Sequence, residues 1–207
     1  VSLLLEVLEG EDPQDPATSL APGKFEIPEF HIKSDRLEGI RIGVARNLYH
    51  GDSRMNQLLE DAVHALIDLG AVVKDSLYLD NTMLLKMPEL EVLLHEFKLG
   101  INAYLGNLED HPEHPSPPKS LKELITFNEA HHEQVMPFFA QELFEKAERR
   151  GDLSSETYME SLKECRRLSR QQGIDAFMQK HGLDAFIAPT SGPAWLTDSL
   201  NGDPVSI

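Results

Sequence analysis

Apolar and polar positions along the chain change period in an order that can be read as a fold. Gly39 opens the run Ile40-Arg41-Ile42-Gly43-Val44-Ala45, which alternates and is β-branched, so a strand is predicted there. Asp52 or Ser53 can cap the helix that follows. Its apolar residues, Met55, Leu58, Leu59, Ala62, Val63, Leu66 and Leu69, recur at helical spacing. Gly70 supplies a left-handed C-terminal residue, and a second strand runs over 71–79. Strand, amphipathic helix and strand in so short a stretch make a βαβ unit, with parallel strands and a right-handed crossover.

A helical pattern then runs from Pro88 to about Leu105, with Leu90, Leu93, Leu94, Phe97, Ile101 and Leu105 on one stripe. Residues 110–119 form a proline-rich loop. A short helix is expected at 120–130, another near 137–150, and a longer one from Ser155 to His181 with Ser154 as its N-cap. Leu183-Asp184-Ala185-Phe186-Ile187-Ala188 reads as a buried strand stopped by Pro189. The expected fold class is α/β: a parallel or mixed sheet, built from the βαβ unit and a further strand, with a large helical insertion. The segments divide as an extended lead-in over 1–38, the βαβ unit over 39–80, a helical block over 84–181 and a terminal strand and loop over 183–207. Pro13, Pro16, Pro22 and Pro28 make the lead-in mostly irregular. Val1 to Gly10 resembles the last turns of a helix, and without a basic n-region it is not read as a signal peptide.

With 207 residues, one large domain or two small ones, the chain can bury roughly 70% of its unfolded surface. Composition adds a constraint on partners. Lys and Arg number 19 against 35 Asp and Glu, a net charge of −16. Such a surface repels phosphate backbones and anionic headgroups, so neither nucleic acid nor membrane is an expected partner. No apolar run approaches the roughly 20 residues of a membrane helix. The lone cysteine, Cys165, cannot form an internal disulfide, which suits a reducing, cytoplasmic setting.

Candidate chemistry is sparse. His111, His114, His131 and His132 invite a metal, but adjacent helical histidines point about 100° apart and a proline loop holds no geometry. His95-Glu96 lacks a second histidine four residues on. No metal and no cofactor is therefore expected. There is no Gly-x-Ser-x-Gly elbow and no phosphate-binding glycine loop. Cys165, inside a helix, reads as packing. The informative segment is the exit of the last strand, Pro189-Thr190-Ser191-Gly192-Pro193-Ala194-Trp195, because ligands in open α/β sheets bind beyond the carboxyl ends of strands.

That exit together with its strand, Leu183-Asp184-Ala185-Phe186-Ile187-Ala188-Pro189-Thr190-Ser191-Gly192-Pro193-Ala194-Trp195, and the Asn201-Gly202-Asp203 that follows resemble the late portion of the amidase signature family. Other stretches resemble the same family in the same order. They are Asp12-Pro13-Gln14-Asp15-Pro16-Ala17-Thr18; the strand Leu37-Glu38-Gly39-Ile40-Arg41-Ile42-Gly43-Val44; His95-Glu96-Phe97-Lys98-Leu99-Gly100-Ile101-Asn102-Ala103-Tyr104-Leu105; and 120–130 ending Phe127-Asn128-Glu129-Ala130. The resemblance implies an amidase-signature fold. It also implies hydrolysis of a carboxylic amide C–N bond through a serine acyl-enzyme, with the nucleophile activated by a second serine and a neutral lysine.

The family's Ser-Ser-Lys groups lie in a Gly/Ser-rich core that this chain lacks. Its one Ser-Ser pair, Ser154-Ser155, fits a helix cap and has no glycine beside it. The expectation is a portion of an amidase, similar to the later middle of a larger enzyme. No catalytic residue is assigned in this chain, and Thr190, Ser191 and Trp195 are the substrate-pocket candidates. The partner implied for the parent is a small-molecule amide. The isolated chain is expected to hydrolyse no amide or ester above background and to self-associate. The alternatives are a non-catalytic α/β binding module and a metal-dependent hydrolase.

Overall fold

The computed structural model describes residues 10–13, 15, 18–20, 36–48, 51–113 and 115–190. Expectations for Val1 to Glu9, for most of the irregular lead-in and for 191–207 fall outside them. Three strands form one parallel sheet in the order β2-β1-β3, with β1 at Arg41–Ala45, β2 at Val72–Leu77 and β3 at Ala185–Ile187. The expected α/β class, the βαβ unit and the further strand are all present.

Helix α1, Ser53–Asp68, crosses from β1 to β2. Asp52 caps it: Oδ1 accepts from the backbone N–H of Arg54 at 2.8 Å and of Met55 at 3.2 Å. Gly70 follows its end with φ +93°, a conformation that L side chains rarely adopt. The buried stripe of α1 is narrower than its apolar pattern. Leu59 and Val63 pack on Val44 of β1, with Val73 and Ile187 beside them, while Leu58 stays 63% exposed. Among the described residues the sheet is three strands wide and covers one line of the helix.

Strand β1 is central and carries the core; Ile42, Val44 and Ala45 are buried. Strand β3 was expected to be buried, but it lies at one edge of this order, with Ala185 exposed and Phe186 and Ile187 half-buried. Strand β2 carries an irregularity opposite Gly43 to Ala45, where Ser76 takes φ +58°.

Helix α2 spans Thr82–Gly106. It begins well before Pro88, which the sequence suggested as its start. Proline at this position forgoes one bond early in the helix, and the good helix formers Met83 to Met87 carry the chain into it. Asn81, with φ +70°, holds the start by donating from Nδ2 to the Gln172 carbonyl at 2.9 Å.

Helix α3, Leu121–Ala130, is capped by Ser120, whose Oγ accepts from Glu123 N–H at 3.2 Å. Helix α4 is the short His132–Val135, and α5 is Glu142–Glu148, shorter than 137–150. Leu121, Ala147 and Leu94 make the core of this layer.

The single long helix expected over 155–181 is three pieces. Helix α6 spans Glu156–Arg166, a π-helical segment covers Arg167–Ile174, and α7 spans Asp175–His181. Gly173 breaks the run with φ −106° and ψ −111°. The N-cap of α6 is Ser155, not Ser154.

Candidate functional site

Parallel strands place their carboxyl ends together, and that end was the expected ligand side. Asn47, just past β1, bridges to Leu79, just past β2. Its Nδ2 donates to the Leu79 carbonyl at 2.8 Å, and its Oδ1 accepts from the Leu79 N–H at 2.8 Å. Beneath them Ala45, Leu79, Phe177 and Leu183 form a buried cluster. Arg46 runs to both Asp75 and Glu60, and its guanidinium holds the Asp75 carboxyl below the usual range. Thr190 lies exposed, three residues beyond β3. Ser191 and Trp195 fall outside the described residues, so Thr190 is the one pocket candidate whose position is described.

Of the histidines weighed as ligands, His114 also falls outside. The ring of His131 stacks on Phe127 at 4.2 Å, and its Nδ1 meets the Phe127 carbonyl at 2.8 Å. His111 Nδ1 accepts from the Glu113 N–H. Among the described residues no three His, Cys, Asp or Glu side chains converge to hold a metal ion. Burial first, then the charges of Glu89 and Glu164, push the Cys165 thiol up, away from a reactive thiolate.

A different constellation lies in the helical layer, where α2 crosses the start of α6. A cleft of about 410 Å³ is lined by Glu91, His95, Arg149, Arg150, Gly151, Ser155 and Thr157. His95 is 2% exposed. Its Nε2 is 3.1 Å from Ser155 Oγ. Its Nδ1 is 2.9 Å from the Glu91 carbonyl and 3.4 Å from Glu91 Oε1. Tyr158 packs on the ring at 5.5 Å and donates its hydroxyl to Glu96 Oε1 at 2.8 Å; that bond, then burial, raise the Tyr158 hydroxyl above its ordinary range.

The walls are tied down. Arg150 pairs with Glu91, Nε at 2.6 Å from Oε1 and Nη2 at 2.9 Å from Oε2. Lys98 Nζ donates to the carbonyls of Glu148 at 2.6 Å and Arg150 at 2.9 Å, which fastens the link from α5 to α6. Sequence reasoning passed over both His95 and Ser155. His95 lacked a ligand-spaced partner, and Ser155 resembled part of a helix cap. Only the packing of α2 against α6 joins residues sixty positions apart.

No protein-family model matches the chain. It is 32% identical over 193 residues to a probable amidase of Arabidopsis thaliana, covering 89% of this chain and 35% of that protein. It is 26% identical over 214 residues to a glutamyl-tRNA(Gln) amidotransferase chain of Pseudomonas savastanoi, covering 99% of this chain and 41% of that one. Among solved structures it superposes on the peptide amidase PAM in complex with the competitive inhibitor chymostatin. The TM-score is 0.78 and the identity 35%, covering 94% of this chain and 39% of that one. The chain thus spans 35–41% of the length of the relatives it matches.

Proposed function

The chain is a homologue of part of the amidases and shares their amidase-signature α/β fold, and from that premise we propose that it contributes scaffold and substrate-funnel elements to an enzyme hydrolysing a carboxylic amide C–N bond through a serine acyl-enzyme. On this reading none of its own side chains carries the amide chemistry. The strand exit with Thr190, Ser191 and Trp195 lines the acyl side, and the helices over 84–150 shape the leaving-group side. Amidated peptides are the first substrates to try, since a solved relative is a peptide amidase. A reducing, cytoplasmic setting suits the free cysteine, and among the described residues no helix is long and apolar enough to cross a membrane.

The observation that carries this reading is the superposition on a peptide amidase over 94% of the chain at 35% identity. The test reads the gene on either side of residues 1 and 207 and assays its full product on peptide amides. A Gly/Ser-rich core with two serines and a lysine, and amide cleavage abolished by replacing either serine, are expected. A gene encoding nothing outside these residues, or a full product inert on amides, overturns it.

The isolated chain is expected to self-associate. Met83, Leu84 and Met87 of α2 are each more than 60% exposed, as are Tyr78 and Phe138. Light scattering across concentration that returns a clean monomer would contradict this.

A further inference from the structure

Ser155 and His95 have no part in the amide reading, yet their geometry is that of a nucleophile and its base. Both groups facing His95 Nδ1, the Glu91 carbonyl and the Glu91 carboxylate, are acceptors. Nδ1 therefore carries a proton, so Nε2 is the nitrogen open to accept one whenever the ring is uncharged. The group in front of Nε2, at 3.1 Å, is the Ser155 hydroxyl. The hydroxyl is committed to that bond, since it makes no capping bond to the first turn of α6. The base is buried and held by Glu91 and by the Tyr158 ring, while Ser155 lines an open cleft of about 410 Å³. Nucleophile, base and orienting group thus stand in hydrogen-bond sequence beside a shallow cleft open to solvent.

We propose that Ser155 is a nucleophile activated by His95 and that it takes acyl groups from small activated esters. Ser155 Oγ attacks the ester carbonyl carbon while its proton passes to His95 Nε2. The tetrahedral adduct collapses, the bond to the phenolic or alkoxide oxygen breaks, and that leaving oxygen takes the proton from Nε2. The products are O-acyl-Ser155 and one equivalent of the phenol or alcohol; nothing is oxidised or reduced.

Ser154 is a control in the next position. Its Oγ donates to Asp152 Oδ1 at 2.5 Å, and that same bond leads the causes holding the Asp152 carboxyl below its ordinary range. Such a carboxylate is a poor proton acceptor, so Ser154 stays unreactive although it is more exposed.

The experiment treats the folded chain with p-nitrophenyl acetate and maps acetylated serines by peptide mass spectrometry. Acetylation concentrated on Ser155 and sparing Ser154 is expected. His95→Gln, verified as folded by circular dichroism, is expected to slow labelling of Ser155 by roughly a hundredfold, the usual contribution of a general base. Should that variant unfold, the wild-type chain supplies the test, because the preference for Ser155 over Ser154 must vanish in urea. Equal labelling of the two serines in the folded chain, a preference that survives urea, or a rate unchanged in folded His95→Gln overturns the proposal. None of these results bears on the amide reading, which assigns no role to Ser155.

Discussion

Asp184 closes on Arg41 through both of its oxygens. Oδ2 accepts from the Arg41 backbone N–H at 2.8 Å and from Nε at 2.9 Å, and Oδ1 accepts from Nη2 at 2.7 Å. The residues stand 143 positions apart. The carboxylate sits at the entry to β3 and the guanidinium at the start of β1, so the fork sets where the last strand joins the sheet. The Asp184 N–H completes it by donating to the Arg41 carbonyl at 2.9 Å.

This pair makes stability depend on pH in a definite direction. Hydrogen bonds from the Arg41 side chain, then from its backbone, hold the Asp184 carboxyl well below the usual carboxylate range. A carboxyl depressed in the folded state stabilises the fold above its unfolded value, near pH 4, and loses that contribution as pH falls toward its folded value. Asp184→Asn lacks the contribution at every pH. Its melting temperature is therefore expected to fall below wild type at pH 7, with the gap narrowing below about pH 4. Thermal melts of both proteins from pH 7 to pH 2 check it, and a gap that widens in acid contradicts it.

Two glycines without positive φ should respond differently to a methyl group. A Cβ on Gly43 would lie 2.5 Å from Leu183 Cδ1 and 3.1 Å from Leu77 Cδ1, both ends of side chains that can swing. A Cβ on Gly173 would lie 2.4 Å from the Leu168 carbonyl oxygen, which is fixed in the helical backbone. Gly43→Ala is expected to cost about 1–3 kcal/mol, as overpacking does, and Gly173→Ala more. Urea unfolding of the two variants ranks them.

Leu121 is 0% exposed at the first turn of α3, where its N–H also donates to Asn102 Oδ1 at 2.7 Å. Its side chain fills the cluster with Leu94 and Ala147, backed by Leu90 and Ile125. Leu121→Ala is expected to cost about 2–5 kcal/mol, because the surrounding helices close only partly on the space left behind. The same measurement on Leu58→Ala, on the exposed side of α1, should stay within about 0.5 kcal/mol of wild type.

What the sequence made legible was what neighbouring residues decide. Asp52 and Gly70 bracket α1 because a cap and a left-handed glycine act within one turn. Ser120 marks α3 for the same reason. The parallel pairing followed from the crossover. The start of α2 was hidden because a proline is a strong local signal, and here it lies inside the helix that Asn81 begins. The break at Gly173 was hidden because an isolated glycine inside a helical stretch is tolerated and is no stop signal by itself. Which strand lies at an edge depends on β3 arriving beside β1 from more than a hundred residues away. Of the candidate site, the strand exit could be named from its own residues, whereas the link between His95 and Ser155 exists only once α2 packs on α6.

The bridge from Asn47 to Leu79 fixes the spacing of two strand exits at the expected ligand side. One amide side chain satisfies both the N–H and the carbonyl of a residue that is 9% exposed. Asn47→Ala strands both groups, and an unmade buried hydrogen bond costs about 1–3 kcal/mol. Asn47→Asp keeps an acceptor for the Leu79 N–H but turns a second oxygen toward the Leu79 carbonyl, where nothing can donate. It places two acceptors, one of them charged, face to face. Asn47→Asp is therefore expected to be no more stable than Asn47→Ala at pH 7, and to recover in acid once its carboxyl carries a proton to donate. Urea unfolding at pH 7 and pH 4 separates the two: recovery of Asn47→Asp relative to Asn47→Ala in acid supports the bridge as a donor–acceptor pair, and parallel behaviour of the two variants contradicts it.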